Sequence, residues 1–184
     1  MLLRTIDLER EPLDFNLDYE PGTIDFSPEA TQEGTLHAEG TAELLTEYRG
    51  GKEVVEDIRL RASYSGKFQA PCARCVEPVF HDIAGEFDLI FRPVGADGGA
   101  SEAAISTSET EIGYYLEGGL LLEDVLREQV VLSLPARSLC QPDCKGLCPR
   151  CGQNLNEMQC RCDEAPADPR WLALEGLRSH IIKE

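Results

Sequence analysis

The stretch "CQPDCKGLCPRCGQNLNEMQCRC", Cys140 to Cys162, holds six of the chain's eight cysteines within 23 residues. Its other residues are mostly Gln, Asp, Lys, Arg and Asn, so the thiols do not read as small hydrophobes packed in a core. "CPRCG", Cys148 to Gly152, has the form of a metal knuckle. Two thiols three apart grip one ion while the backbone turns beneath them, and Gly152 admits the positive φ that follows the second ligand. Zinc takes four ligands, and the other two must come from Cys140, Cys144, Cys160 and Cys162. The expected site is Cys148, Cys151 and Cys144 with one of Cys160 and Cys162; spacing alone does not complete the list. Four thiolates leave no open position for a catalytic water, which points to a scaffold. A charge of about −2 on such a site favours nearby N–H donors and cations, here Lys145, Arg150 and Arg161. A segment with so little apolar content cannot fold by burial, whereas metal binding supplies roughly 10–16 kcal/mol in small zinc peptides. Residues 140–162 are therefore expected to lose order without metal.

Two thiols of the six remain over, and Cys72 and Cys75 of "PCARCVEP" (71–78) bring the number back to four, enough for a second site. C-x-x-C is also a redox motif, but that chemistry uses a helix N-terminus to stabilise the thiolate, and strand patterns flank this one on both sides. Metal binding, reduced structural thiols at a turn, and redox activity are the three readings.

Compartment bears on the choice. The N-terminus turns acidic within seven residues, without the apolar stretch of about 7–15 residues of a secretory leader. No run approaches the roughly 20 apolar residues of a membrane helix. A cytoplasmic protein is expected, and there clustered cysteines bind metal more often than they form disulfides.

The alternation of the first half marks long strands. Even positions from Leu36 to Tyr48 are largely apolar and odd ones largely polar, and the pattern continues over Val54, Ile58, Leu60, Ala62, Tyr64, Phe68 and Ala70. A third run sets Val79, His81, Ile83, Phe87, Leu89 and Phe91 on one face. Gly50 and Gly51 supply a hairpin turn between the first two runs, and the Cys72–Cys75 turn joins the second to the third. Shorter extended pieces are expected at 15–19 and 112–116, with a solvated acidic loop at 93–111 between the third strand and the second of these pieces. "LLEDVLREQVVLSLP" (121–135) reads as a helix with Leu122, Val125, Leu126 and Val130 on one face, a Glu123–Arg127 pair at i,i+4, and Pro135 as its stop. A last helix begins at Asp168 as N-cap with Pro169 following. The fold class is thus α+β, predominantly antiparallel β with one or two packing helices, plus a small zinc-binding cysteine module. The division expected is a β-rich domain over 1–136, with its helix near 121–134, and a cysteine-rich zinc module with a C-terminal helix over 137–184.

Three scattered histidines, no phosphate-binding glycine loop and no nucleophile motif leave no catalytic set, so no enzyme and no small-molecule substrate are expected. The motifs "PCARCVEP", "LLEDVLREQVVLSLP", "LCQPDCKGLCPRCGQNLNEMQCRC" and "DPRWLALEGL", in this order, resemble the YceD-like family, large ribosomal RNA subunit accumulation proteins. The resemblance covers roughly residues 35–180. It implies a bacterial, non-enzymatic factor needed for normal levels of large-subunit ribosomal RNA, and plastid relatives that look like processing or maturation factors.

The charge stands against direct RNA binding by the body. Of a net −17, all lies in residues 1–136; residues 137–184 are balanced. An acidic body repels phosphate backbones. The partner is therefore either ribosomal RNA, touched locally by Lys145, Arg150 and Arg161 in the manner of zinc knuckles, or a basic ribosomal protein or assembly factor. Two rivals remain: a thiol-based redox or zinc-responsive protein using Cys72 and Cys75, and a structural adaptor without RNA contact.

Overall fold

The computed structural model describes residues 1–49, 53–96, 112–116 and 118–162. The Gly50–Gly51 turn, most of the acidic loop and the helix expected from Asp168 lie outside the described residues. The chain order is β1 (Leu2–Leu3), α1 (Thr5–Leu8), β2 (Leu13–Tyr19), β3 (Thr31–Arg49), β4 (Glu53–Pro71), β5 (Pro78–Pro93), β6 (Ile112–Tyr115), β7 (Leu120–Leu121) and α2 (Leu122–Ser133). One sheet runs β2-β3-β4-β5-β6, and β1 pairs with β7.

The period-two pattern explains the register. Phe15 lies opposite Gly40 and Tyr19 opposite Leu36; Ala42 faces Leu60, and Ile58 faces Phe91. These positions share one face, and Leu36, Ala38, Ala42, Ile58, Leu60 and Phe68 are buried on it. A slip of one residue would turn this whole set outward. Helix α2 closes the face with Leu122, Val125, Leu126 and Val130, the stripe its sequence shows. Each fully buried side chain of this size contributes roughly 1.5–3 kcal/mol. The Tyr64 hydroxyl ties sheet to helix, donating to the Gln129 carbonyl at 2.9 Å and lying 2.6 Å from Ser133 Oγ.

The sheet is predominantly antiparallel, as expected, with one parallel pair: β6 runs parallel to β5, from Ile90 opposite Ile112 to Pro93 opposite Tyr115. The long stretch between them lets the chain return in the same direction, which a tight turn cannot do. One expectation is corrected: the Glu123–Arg127 pair does not form. Glu123 takes the Met1 amine, while Arg127 donates to the carbonyls of Asp25 and Ser27 and pairs with Glu29 at 3.2 Å. Each side chain is engaged by a different segment distant in sequence, Glu123 by the N-terminus and Arg127 by residues 25–29, and so is not left for its i,i+4 neighbour.

The opposite face of the sheet is open and charged. Asp14, Asp18, Glu39, Glu86 and Asp88 are exposed on it, with Arg59 held to Asp88 at 2.6 Å and Arg61 to Glu43 at 3.2 Å. Among the described residues no helix is long and apolar enough to cross a membrane.

Candidate metal centres

The β4–β5 connection is the tight turn that carries Cys72 and Cys75. The Val76 amide donates to the Cys72 carbonyl at 2.9 Å, and the Cys72 amide donates to the Glu77 carbonyl at 2.8 Å. The same two bonds recur in the tail: Gly152 N–H to the Cys148 carbonyl at 2.9 Å, and Cys148 N–H to the Gln153 carbonyl at 2.8 Å. The two C-x-x-C turns are one motif built twice. The residue after the second cysteine has φ +66 in Val76 and +73 in Gly152. Glycine takes that conformation freely; a β-branched valine is strained there.

Each knuckle faces a second pair of thiols. The eight sulfurs form two groups, Cys72, Cys75, Cys140 and Cys144 in one, and Cys148, Cys151, Cys160 and Cys162 in the other, with all sulfurs of a group within 4.8 Å of one another. The Cys72–Cys144 and Cys75–Cys140 sulfur separations are 3.9 and 3.5 Å. A tetrahedral ion with metal–sulfur bonds of about 2.3 Å sets its sulfurs about 3.8 Å apart, so each group can hold one metal ion.

This grouping differs from the one expected by spacing. Cys144 sits with Cys72 and Cys75, not with Cys148 and Cys151; Cys160 and Cys162 both join the tail knuckle; Cys140 goes with Cys144. The physical reason is the docking of residues 138–147 on the β4–β5 turn. The Ala73 amide donates to the Ser138 carbonyl at 2.8 Å and Leu147 N–H to the Arg74 carbonyl at 3.1 Å. The Arg74 guanidinium donates to the Cys144 carbonyl at 2.7 Å. His81, which the alternation sets on the face of Val79 and Ile83, lies 2.8 Å from Ser138 Oγ and is part of the same junction. Gly146, at φ +77, comes so close that a Cβ there would lie 2.9 Å from the Arg74 carbonyl oxygen.

Backbone amides polarise the first sulfur of each knuckle. Those of Cys75, Arg74 and Cys140 lower the Cys72 thiol to about 6, and those of Cys151 and Arg150, followed by the Cys160 thiol, lower Cys148 to about 6. The Asn156 side-chain amide is the main cause of a lowered Cys144 thiol. Two others shift the opposite way: desolvation pushes Cys140 up to about 12, and the neighbouring Cys151 thiol does the same to Cys162. The amide donors aimed at sulfur are the partners that a metal-bound thiolate needs.

Lys145, Arg150 and Arg161 are all exposed around the two groups. Sequence reasoning missed Asn156. Its side chain donates to Cys144 Sγ at 3.2 Å, while its Oδ1 accepts the Lys145 amide at 2.8 Å. Nothing in "GQNLNEMQ" sets Asn156 apart from Asn154; only the fold does.

Comparison with known proteins bears on the same region. The family described as large ribosomal RNA subunit accumulation protein YceD matches residues 60–178, a span that includes all eight cysteines. A Mycobacterium tuberculosis protein that carries no functional name is 34% identical over 125 residues, covering 65% of this chain and 57% of its own. A Zea mays protein named large ribosomal RNA subunit accumulation protein YCED homolog 1, chloroplastic, is 28% identical over 114 residues, covering 50% and 39%. The Arabidopsis thaliana protein of the same name is 34% identical over 56 residues, covering 30% and 17%. The chain thus spans a little over half the length of the mycobacterial relative. No solved structure matches.

Proposed function

The chain belongs to the YceD family of large ribosomal RNA subunit accumulation proteins, and from that membership we propose that it is a cytoplasmic accessory factor in large ribosomal subunit biogenesis, acting by binding and not by catalysis. The observation that carries the binding mode is the pair of four-thiol groups. Zinc suits an all-sulfur tetrahedral donor set, and when bound this way it is a structural ion with no open coordination position. The eight thiols then fix the shape of a tail that cannot fold by burial, and the docked tail and sheet present one surface to a partner.

Charge favours a basic protein partner, a ribosomal protein or an assembly factor, over RNA. Each zinc held by four thiolates adds about −2 to the protein, so Lys145, Arg150 and Arg161 serve first as counter-charges to sulfur. The formal net charge is −17 before any thiolate is counted. The open face with Asp14, Asp18, Glu39, Glu86 and Asp88 extends the same acidic field, and such a field steers basic partners and repels phosphate.

The test is recovery of the tagged protein from cells with its bound proteins and RNA identified, with and without nuclease. The expected result is a basic large-subunit protein or assembly factor that stays bound after nuclease treatment, and a fall in large-subunit relative to small-subunit ribosomal RNA when the protein is depleted. Loss of every partner on nuclease treatment would replace this reading with direct RNA binding. An unchanged ratio of the two RNAs on depletion would remove the biogenesis role.

A further inference from the structure

The two thiol groups are not independent in space. The loop that closes the second group, between Cys151 and Cys160, sends one side chain back into the first. Asn156 Nδ2 lies 3.2 Å from Cys144 Sγ and 3.0 Å from Asn154 Oδ1. Its Oδ1 accepts the backbone N–H of Lys145 at 2.8 Å and the Gln141 amide at 3.3 Å. A backbone N–H can only donate, so the carbonyl end must face Lys145 and the amide end must face the sulfur. The loop is held in place by Leu155 N–H on the Gly146 carbonyl at 2.9 Å and by the Leu147–Asn154 bridge.

We infer that Asn156 is a positioning residue of the first metal centre, supplied by the fold of the second, and that it makes the two centres load cooperatively. The inference rests on the zinc reading above. When Cys148, Cys151, Cys160 and Cys162 close on an ion, the loop takes the shape that brings the Asn156 N–H to the Cys144 thiolate. A thiolate that accepts this bond keeps its charge stabilised and its lone pair directed. Outer partners of this kind change metal affinity by roughly 10–100-fold. Coupling between two binding equilibria is reciprocal, so zinc in the first centre tightens the second by the same factor.

The experiment is zinc release from the full chain to a chromophoric chelator, with zinc per chain measured by elemental analysis, in the wild type, Asn156→Leu, Asn156→Asp and Asn154→Ala. The wild type is expected to hold two zinc ions and release them in one cooperative phase. Asn156→Leu keeps the side-chain bulk and loses the donor. It should split release into two phases, the first at a chelator concentration about 10–100-fold lower. Asn156→Asp retains the oxygen that accepts the Lys145 amide and loses the N–H shared by Cys144 Sγ and Asn154 Oδ1. Asn154→Ala removes the loop contact and leaves the Asn156 amide in place; release from it as early as from Asn156→Asp would assign the effect to the loop and overturn the inference. If Asn156 acts on Cys144, the Asp variant releases zinc at least as early as the Leu variant; if it only caps the turn, the Asp variant behaves as the wild type and the inference falls. Two zinc ions released in two phases by the wild type, unmoved by either Asn156 variant, would also overturn it. One ion per chain would overturn the two-centre arrangement, and none would overturn the zinc reading itself.

Discussion

Gly146 packs against the Arg74 backbone with no room for a side chain, and its replacement by alanine tests the docking of tail on body directly. Two penalties add. The residue stands at φ +77, which costs an L-residue about 1–2 kcal/mol. The new methyl would lie 2.9 Å from the Arg74 carbonyl oxygen and 3.5 Å from its carbon, both backbone atoms with little room to yield; overlap of this kind costs about 1–3 kcal/mol. Alanine returns about 0.4–1 kcal/mol by stiffening the unfolded chain. The balance is about 3 kcal/mol against docking, or roughly a hundredfold in an equilibrium constant. Because Cys140 and Cys144 reach Cys72 and Cys75 only when the tail is docked, the expected result, on the zinc reading proposed above, is weaker metal retention at the first centre. Gly152→Ala is the control. Gly152 has nearly the same φ, +73, but nothing lies within 4 Å of its Cβ position. It carries only the conformational penalty, about 1 kcal/mol net. Zinc competition and limited proteolysis of the tail measure both variants. If Gly146→Ala and Gly152→Ala weaken their centres equally, the contact with Arg74 contributes nothing and the docking account is wrong.

The remaining predictions address each layer of the fold. Cys148→Ser should lower zinc content by one ion per chain while circular dichroism still reports the β-sheet; cooperative loss of the whole fold would show that tail and sheet are one unit. Leu126→Ala, at a fully buried site on α2, should cost about 2–5 kcal/mol in denaturant titration, and a cost below 1 kcal/mol would mean that the helix does not close the core. Tyr64→Phe leaves the Gln129 carbonyl and Ser133 hydroxyl without their shared partner and should cost about 1 kcal/mol by the same measurement. The Arg59 guanidinium holds the Asp88 carboxyl below its ordinary 3.8. A folded value below the unfolded one stabilises above the unfolded pKa, and that share is lost as pH falls through the folded value. Arg59→Gln should therefore move the midpoint of acid unfolding upward, and an unmoved midpoint would show that this exposed pair contributes nothing.

The body of the fold is legible in the sequence because its information is periodic and local. Apolar residues at every second position name the buried face of β3, β4 and β5 without reference to any other part of the chain, and Leu122, Val125, Leu126 and Val130 do the same for α2. A knuckle is equally local, since the turn that makes it lies within six residues. The pairing of knuckles with their second pairs of thiols is not local. Cys144 stands four residues before Cys148 and 69 after Cys75, and proximity along the chain assigns it to the tail. The Arg74 carbonyl and guanidinium, the Ser138 carbonyl and the absent side chain of Gly146 instead carry it to the β4–β5 turn. The parallel direction of β6 and the partners of Glu123 and Arg127 escaped for the same reason: each depends on a segment far away in sequence. The strain at Val76 makes the point from the other side. A valine after "CARC" conceals the equivalence with "CPRCG", yet its φ of +66 matches that of Gly152 at +73. The turn is therefore dictated by the hydrogen bonds and sulfurs around it, strongly enough to hold a residue that would avoid that conformation in isolation.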